Sequence, residues 1–204
     1  MRTLPLALVA MLALPLALAA CKRKEEAAPP PPVAVAPPPP LAPATPVAAT
    51  PVTGYSHSGT LDAAGYYLPQ TEIRVGEFKL NHLGVGAASD FTQWEQGDRN
   101  SVFGPVLLQF DDVTSPVQTN ELGGEAHSVS VRVLPSAYSV DGRTLRFVGQ
   151  DPKLGKVAFE GAFQTAALAQ AKAEGSGPQA VLTGTLQVGS TRISNASFTF
   201  FAGD

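Results

Sequence analysis

The chain has 204 residues, 14 of them basic and 17 acidic, and a formal net charge of −3. Four basic and two acidic residues precede residue 27, which leaves 10 basic and 15 acidic side chains in the remainder. An acidic domain repels a phosphate backbone, and no cluster of Lys and Arg offsets this repulsion, so we expect no nucleic-acid binding. Cys21 is the only cysteine, which excludes an intrachain disulfide.

The first 20 residues have the composition of a secretory signal peptide. A positive charge at Arg2 precedes an apolar run from Leu4 to Leu18 that only prolines interrupt. This run of 15 residues is too short to cross a hydrocarbon core of ~30 Å comfortably. We therefore expect residues 1–20 to direct export and then to be removed.

The signal ends in Leu18-Ala19-Ala20-Cys21, which resembles the lipobox of bacterial lipoproteins. The resemblance implies a diacylglycerol on the Cys21 thiol, cleavage after Ala20 and an acylated new amino terminus. Stable membrane anchoring needs two signals, such as two acyl chains. A cysteine that carries several acyl chains meets this requirement. Lys22 stands where an aspartate would favour the inner membrane in related sorting systems, so the resemblance points to the outer membrane, facing the periplasm. The alternative is an ordinary signal peptide with a chance cysteine after it.

Residues 21–52 form a predicted linker that begins at the lipidated cysteine. From residue 27 it consists almost entirely of Ala, Pro, Val and Thr, with proline blocks at 29–32 and 37–40. Proline fixes φ and lacks a backbone donor, so we expect polyproline II and a reach of at most ~80 Å. Such a segment serves as a semi-rigid tether or, alternatively, as a ligand for an aromatic-lined groove.

Residues 53–204 are predicted to form a single β-rich domain. Apolar residues alternate with polar ones at 106–110, 129–133, 145–147 and 156–163, as in half-buried strands. The pattern predicts an all-β fold with minor α: one antiparallel β-sandwich or small β-barrel of about 7–9 strands.

Three turns and irregularities are predicted in these strands. The alternation changes phase at Gly76, which a β-bulge would explain. Gly189-Ser190 has the composition of a two-residue hairpin turn, and that register places Leu186 opposite Ile193. The aromatic residues that follow are out of phase, so either a bulge lies near Asn195 or both faces are covered.

Helix signals are few. Thr165 is a predicted N-cap for a short helix near 165–174 that ends at Gly175. Ser89 is a predicted cap of a short turn in which Phe91 and Trp94 share one face.

No catalytic, cofactor-binding or metal-binding motif is present. The histidines at 57, 82 and 127 lie far apart, and we expect His57 to belong to a disordered segment before the domain. Asp111-Asp112 with Asn120-Glu121 offers oxygen ligands for Ca²⁺, but solvated loop residues are the simpler interpretation. The chain therefore gives no positive sign of an enzyme or of a cofactor.

One aromatic set and one hairpin leave a ligand-binding function open. The aromatic set comprises Tyr66, Tyr67, Phe91 and Trp94, which serve either as core or as the lining of a ligand surface. Residues 181–189 and the strand after them are similar to the last hairpin of the YceI-like lipid-binding barrels; this short resemblance identifies no site residues.

The favoured hypothesis is an envelope lipoprotein, held on the membrane by the lipid on Cys21, whose non-enzymatic β-domain contacts an envelope protein or serves structure. The alternative is a small barrel of the YceI or lipocalin kind that binds an apolar ligand in its interior.

Overall fold

The computed structural model describes residues 51–119 and 123–203, and most of these residues are in β-strands. Strands account for 55% of them and two helices for 12%, so the all-β class with minor α is confirmed. The described residues contain thirteen strands rather than the 7–9 predicted, and a second helix. The predicted signal peptide, Cys21 and the linker up to residue 50 lie outside the described residues.

In chain order the elements are β1 Tyr55–His57, β2 Gly65–Pro69, β3 Arg74–Val75, β4 Phe78–Val85, α1 Ala88–Glu95, β5 Val106–Asp112, β6 Val117–Thr119, β7 Glu125–His127, β8 Ser130–Val133, β9 Pro135–Val140, β10 Thr144–Asp151, β11 Gly155–Phe163, α2 Thr165–Glu174, β12 Ser176–Val188 and β13 Thr191–Phe201.

Eleven of these strands form one sheet that curls into a half-barrel. The order is β1-β9-β10-β11-β12-β13-β2-β4-β5-β8, with β3 paired to β4, while β6 and β7 form a separate hairpin. Neighbouring strands are antiparallel except β1, which runs parallel to β9. The expectation of a purely antiparallel sheet is therefore wrong at β1.

One stretch of chain forms the last strand of this order, β8, and the second strand, β9. β8 pairs with β5, and after the single residue Leu134 the chain continues as β9, which pairs with β10. The Leu134 carbonyl packs against β10, where it would lie 2.6 Å from a Cβ at Gly149. Gly149 therefore allows the close approach of the two backbones.

The concave side of the sheet is filled by its own side chains. Alternate residues of β11 point inward, and Val157, Phe159 and Phe163 are buried as predicted. The largest fully buried rings come from six strands and α1 and comprise Tyr67, Tyr138, Phe91, Phe110, Phe147, Phe159 and Phe198. These residues belong to one continuous hydrophobic core.

The turn at Gly76 differs from the prediction. Val75 pairs directly with Phe78, so Gly76 begins a two-residue hairpin turn between β3 and β4 rather than a bulge. Its φ of +60° is the conformation that such a turn requires of its first residue. The reversal of the chain places Val75 beside Phe78, which explains the change of phase without an extra residue.

The predicted hairpin turn at Gly189 and the predicted bulge near Asn195 are both confirmed. Gly189, with φ +56°, begins the two-residue turn between Val188 and Thr191. Leu186 pairs with Ile193, whereas Gly184 pairs with Ala196, so β13 carries one extra residue. That residue is at Asn195, which has a left-handed φ of +58°.

Both helices begin differently from the prediction, whereas α2 ends as predicted. In α1 the cap is not Ser89: the Asp90 carboxylate accepts a hydrogen bond from the Ala87 backbone N–H at 2.7 Å. In α2 Thr165 is the first helical residue rather than the cap, and Gly175 ends the helix in the left-handed conformation. Within the part of the chain described, no helix is long and apolar enough to cross a membrane.

Candidate functional site

The outward face of β2, β4 and β5 carries an exposed aromatic ring above a floor with few side chains. Tyr66 on β2 pairs with Gly84 on β4, which pairs with Leu107 on β5. Because strand side chains alternate, Tyr67 points into the core and is 0% exposed, whereas Tyr66 points out and is 43% exposed. The glycine between Tyr66 and Leu107 leaves a gap in the row.

This gap is part of a cleft of about 210 Å³, hereafter the Tyr66 cleft. Its lining consists of Gly65, Tyr66, His82, Gly84, Val85, Gly86, Phe103, Gly104, Leu107 and Ala202. A Cβ at Gly84 would lie 3.4 Å from Leu107 Cγ and 3.7 Å from His82 Cδ2, which is ordinary contact. An alanine at this position therefore fits the fold but reduces the cleft.

His82 is held at the cleft wall by hydrogen bonds. Asn81 donates from Nδ2 to the Asp111 carboxylate at 2.5 Å, and its Oδ1 lies 2.9 Å from His82 Nδ1. Because Oδ1 can only accept, Nδ1 carries the proton and Nε2 keeps its lone pair. The imidazole and the Tyr66 ring make a T-shaped contact, with ring centroids 5.0 Å apart.

The environment of His82 favours the neutral imidazole. Burial lowers its pKa from the usual 6.5, and the charge of Arg132 lowers it further, while Asp111 acts in the opposite direction. At neutral pH the ring is therefore an oriented hydrogen-bond acceptor.

A separate, wider groove of about 500 Å³ has Asn81 and Asp111 in its lining. The hairpin of β6 and β7 forms its other wall, through Val117, Glu125 and His127 among others. This groove is more polar, and it shares the Asn81–Asp111 hydrogen bond with the His82 site.

Of the four oxygen ligands considered for Ca²⁺, only Asp111 and Asp112 lie in the described residues, and they have separate hydrogen-bond partners. Asp111 bonds to Asn81, whereas Asp112 accepts hydrogen bonds from the backbone and hydroxyl of Thr114. The other two predicted ligands, Asn120 and Glu121, lie outside the described residues. Among the residues described, no three His, Cys, Asp or Glu side chains are arranged to hold a metal ion.

The three histidines have separate surroundings. His57 was expected in a disordered segment, and this expectation is wrong. The residue lies in β1, where its ring stacks on Phe91 with centroids 3.8 Å apart. His127 lies in β7 with Nδ1 3.2 Å from the Ser115 carbonyl. Of the three, only His82 lines the Tyr66 cleft.

The aromatic set predicted from the sequence divides between core and surface. Tyr67, Phe91 and Trp94 are buried, and Tyr66 alone faces the cleft. Phe103, which the sequence analysis did not single out, is 45% exposed and lines the cleft from the loop before β5. Loop residues carry no periodic signal, so only the tertiary fold identifies it.

Comparison with protein-family models, with curated proteins and with solved structures found no match for this chain.

Proposed function

We propose that this chain is a lipid-anchored protein of the cell envelope whose β-domain is a non-enzymatic interaction module. The anchor is the lipid that the lipobox resemblance implies on Cys21, and the outer membrane, on its periplasmic side, is the proposed location. The partner is an envelope protein that binds the surface around the Tyr66 cleft.

The observation that carries this proposal is the clustering of exposed apolar side chains. Within the described residues five large apolar side chains are exposed: Tyr66, Val102, Phe103, Val117 and Val129. Tyr66 and Phe103 line the same cleft, and Val102, 57% exposed, adjoins Phe103. Exposed apolar groups that cluster beside a concavity are typical of protein interaction sites.

The strand order also supports a barrel as the architecture of the module. If β8 and β9 are taken as one strand, the described residues give a cyclic order of eight strands: β8/β9, β10, β11, β12, β13, β2, β4 and β5. Barrels of this size are either filled by side chains or hold one small ligand. The fully buried aromatic rings, among them Tyr67, Tyr138 and Phe159, occupy the concave side and favour the filled form.

The second candidate function, storage of an apolar ligand inside the barrel, is favoured by the same cyclic strand order. Its test is organic extraction of the purified chain followed by mass spectrometry. A stoichiometric apolar molecule would support ligand storage, and its absence after purification from the native envelope would contradict it.

The experiment for the interaction module is site-specific photo-crosslinking in intact cells. A benzophenone side chain placed at Phe103 should form a discrete crosslinked product that mass spectrometry identifies as an envelope protein. The matched control is the same group at Glu160, an exposed residue of β11. Equal products from both positions, or none from position 103, would contradict the proposal.

A further inference from the structure

We propose that the Tyr66 cleft binds a tyrosine or tryptophan side chain of the partner protein, whose O–H or N–H donates a hydrogen bond to His82 Nε2. This inference rests on the proposed interaction function and names the chemistry that the surface recognises.

The size of the cleft matches a single ring. Its volume of about 210 Å³ is below the roughly 300–1,000 Å³ of pockets that take drug-sized ligands. A flat group that enters it would lie beside Gly84, which has no Cβ between Leu107 and His82, and would contact Leu107 and the exposed rings of Tyr66 and Phe103. Aromatic anchors that fill such pockets dominate the binding energy of protein interfaces.

The polar chemistry of the cleft calls for a donor. Asn81 occupies Nδ1 of His82, and no hydrogen bond joins Nε2 to another described residue. His82 lines the cleft, and its Cδ2, the ring carbon bonded to Nε2, would lie 3.7 Å from a Cβ at Gly84. An aromatic group with an N–H or O–H satisfies this acceptor, whereas a phenyl ring leaves it unpaired.

A sugar ring fits this lining less well. Of the ten residues that line the cleft, only Tyr66 and His82 have polar side chains. A pyranose carries hydroxyl groups around its whole edge, and those facing glycines and Leu107 would lose their hydrogen bonds to water. The lining therefore favours an apolar ring with one donor.

The test measures the binding of small probes to the full-length chain in detergent micelles. The readout is the NMR resonance of His82 Hε1. The probes are the N-acetyl amides of tyrosine, tryptophan and phenylalanine, with N-acetylglucosamine as a fourth. We expect the tyrosine and tryptophan amides to bind about 3- to 10-fold more tightly than the phenylalanine amide, the range that one net hydrogen bond gives.

Variants separate the hydrogen bond from the shape of the cleft. His82→Phe keeps a ring but removes Nε2, so the three amides should bind alike. Gly84→Ala should weaken all three, because its methyl group occupies the cleft floor. His127→Phe is the control, since His127 lies in the wider groove and should leave the preference unchanged.

The pH dependence gives a readout that simple packing would not. Protonation removes the Nε2 lone pair, so the preference for the tyrosine amide should be present at pH 7.5. It should disappear as the pH falls below the His82 pKa, which burial and Arg132 place below 6.5 and Asp111 opposes. The titration of the same Hε1 resonance locates that pKa.

Equal binding of all three amides to the wild type, binding of the sugar alone, or no binding would overturn the inference. Photo-crosslinking from position 103 distinguishes failure of this inference from failure of the proposed interaction function. A crosslinked envelope protein that persists in the His82→Phe chain would leave the module standing and remove only the role of His82.

Discussion

Phe159 and Glu160 are neighbours on β11 that point to opposite faces of the sheet. Phe159 is 2% exposed and lies edge-on to Phe198, with ring centroids 5.6 Å apart. The Glu160 side chain is 46% exposed and forms an ion pair with Arg146 at 3.4 Å. The two residues share one backbone segment, so a difference between their variants reports the direction of the side chain.

We predict that Phe159→Ala lowers the free energy of unfolding by about 3–5 kcal/mol, because it leaves a cavity in the core. Glu160→Ala removes only an exposed ion pair and should lower it by about 1 kcal/mol or less. Chemical denaturation of both variants measures the difference. Equal denaturation midpoints would show that β11 does not bury the face assigned to it.

For single residues, the sequence predicts which side chains of a strand alternate between the two faces. It does not predict which outward side chains line the cleft. Adjacent tyrosines must point to opposite faces of a strand, yet only the pairing of β2 with β4 places Tyr66 beside Gly84. His57 was misplaced because its short strand, which follows a proline-rich segment, has no alternating apolar pattern. Its paired residues in β9 lie 83 residues further along the chain, which local patterns cannot reveal.

The end of α2 depends on a single left-handed residue. Gly175 has φ +79°, and its backbone N–H bonds to the Lys172 carbonyl. A Cβ at this position would meet nothing within 4 Å, so a substitution there tests backbone conformation without steric contact. Gly59 is also open to a Cβ, but its φ is not in the left-handed region.

We predict that Gly175→Ala destabilises the protein by about 1–2 kcal/mol, the cost of a left-handed conformation for a residue with a side chain. Gly59→Ala, the matched control, should be neutral or stabilise it by up to about 1 kcal/mol, because it restricts the unfolded chain. Thermal unfolding of both variants gives the comparison. A smaller loss for Gly175→Ala than for Gly59→Ala would contradict the assigned cap.

Elements with strong periodicity were predictable, and their ends were less so. The bulge near Asn195 followed from the phase of the aromatic residues in β13, because the inward face of a strand repeats every second residue. The same argument was wrong at Gly76, where a hairpin produces the same change of phase. A bulge within one strand and a hairpin turn between two short strands give the same change of phase, so composition alone does not distinguish them.

At the scale of the whole molecule, the continuation of β8 into β9 determines how the sheet curls. Leu134 separates a strand that pairs with β5 from one that pairs with β10. The alternation at 129–133 predicts β8, but no sequence pattern predicted β9 or the partners of either strand, because pairing depends on residues distant in the chain. The Tyr66 cleft has the same origin, since its walls come from β2, β4, β5 and a loop.

The last prediction concerns Cys21, the proposed lipid attachment site. The described residues 51–119 and 123–203 contain one hydrophobic core, and Cys21 precedes the predicted linker, so we expect Cys21→Ser to release the protein from membranes without unfolding the β-domain. Metabolic labelling with a palmitate analogue should mark the wild type only, and the labelled protein should sediment with the membrane fraction. The circular dichroism and the denaturation midpoint of the variant should match those of the wild type. The control is Thr3→Ser, a polar exchange in the signal peptide that should leave labelling and sedimentation unchanged. Label on the Cys21→Ser chain, or none on the wild type, would contradict lipid attachment at Cys21.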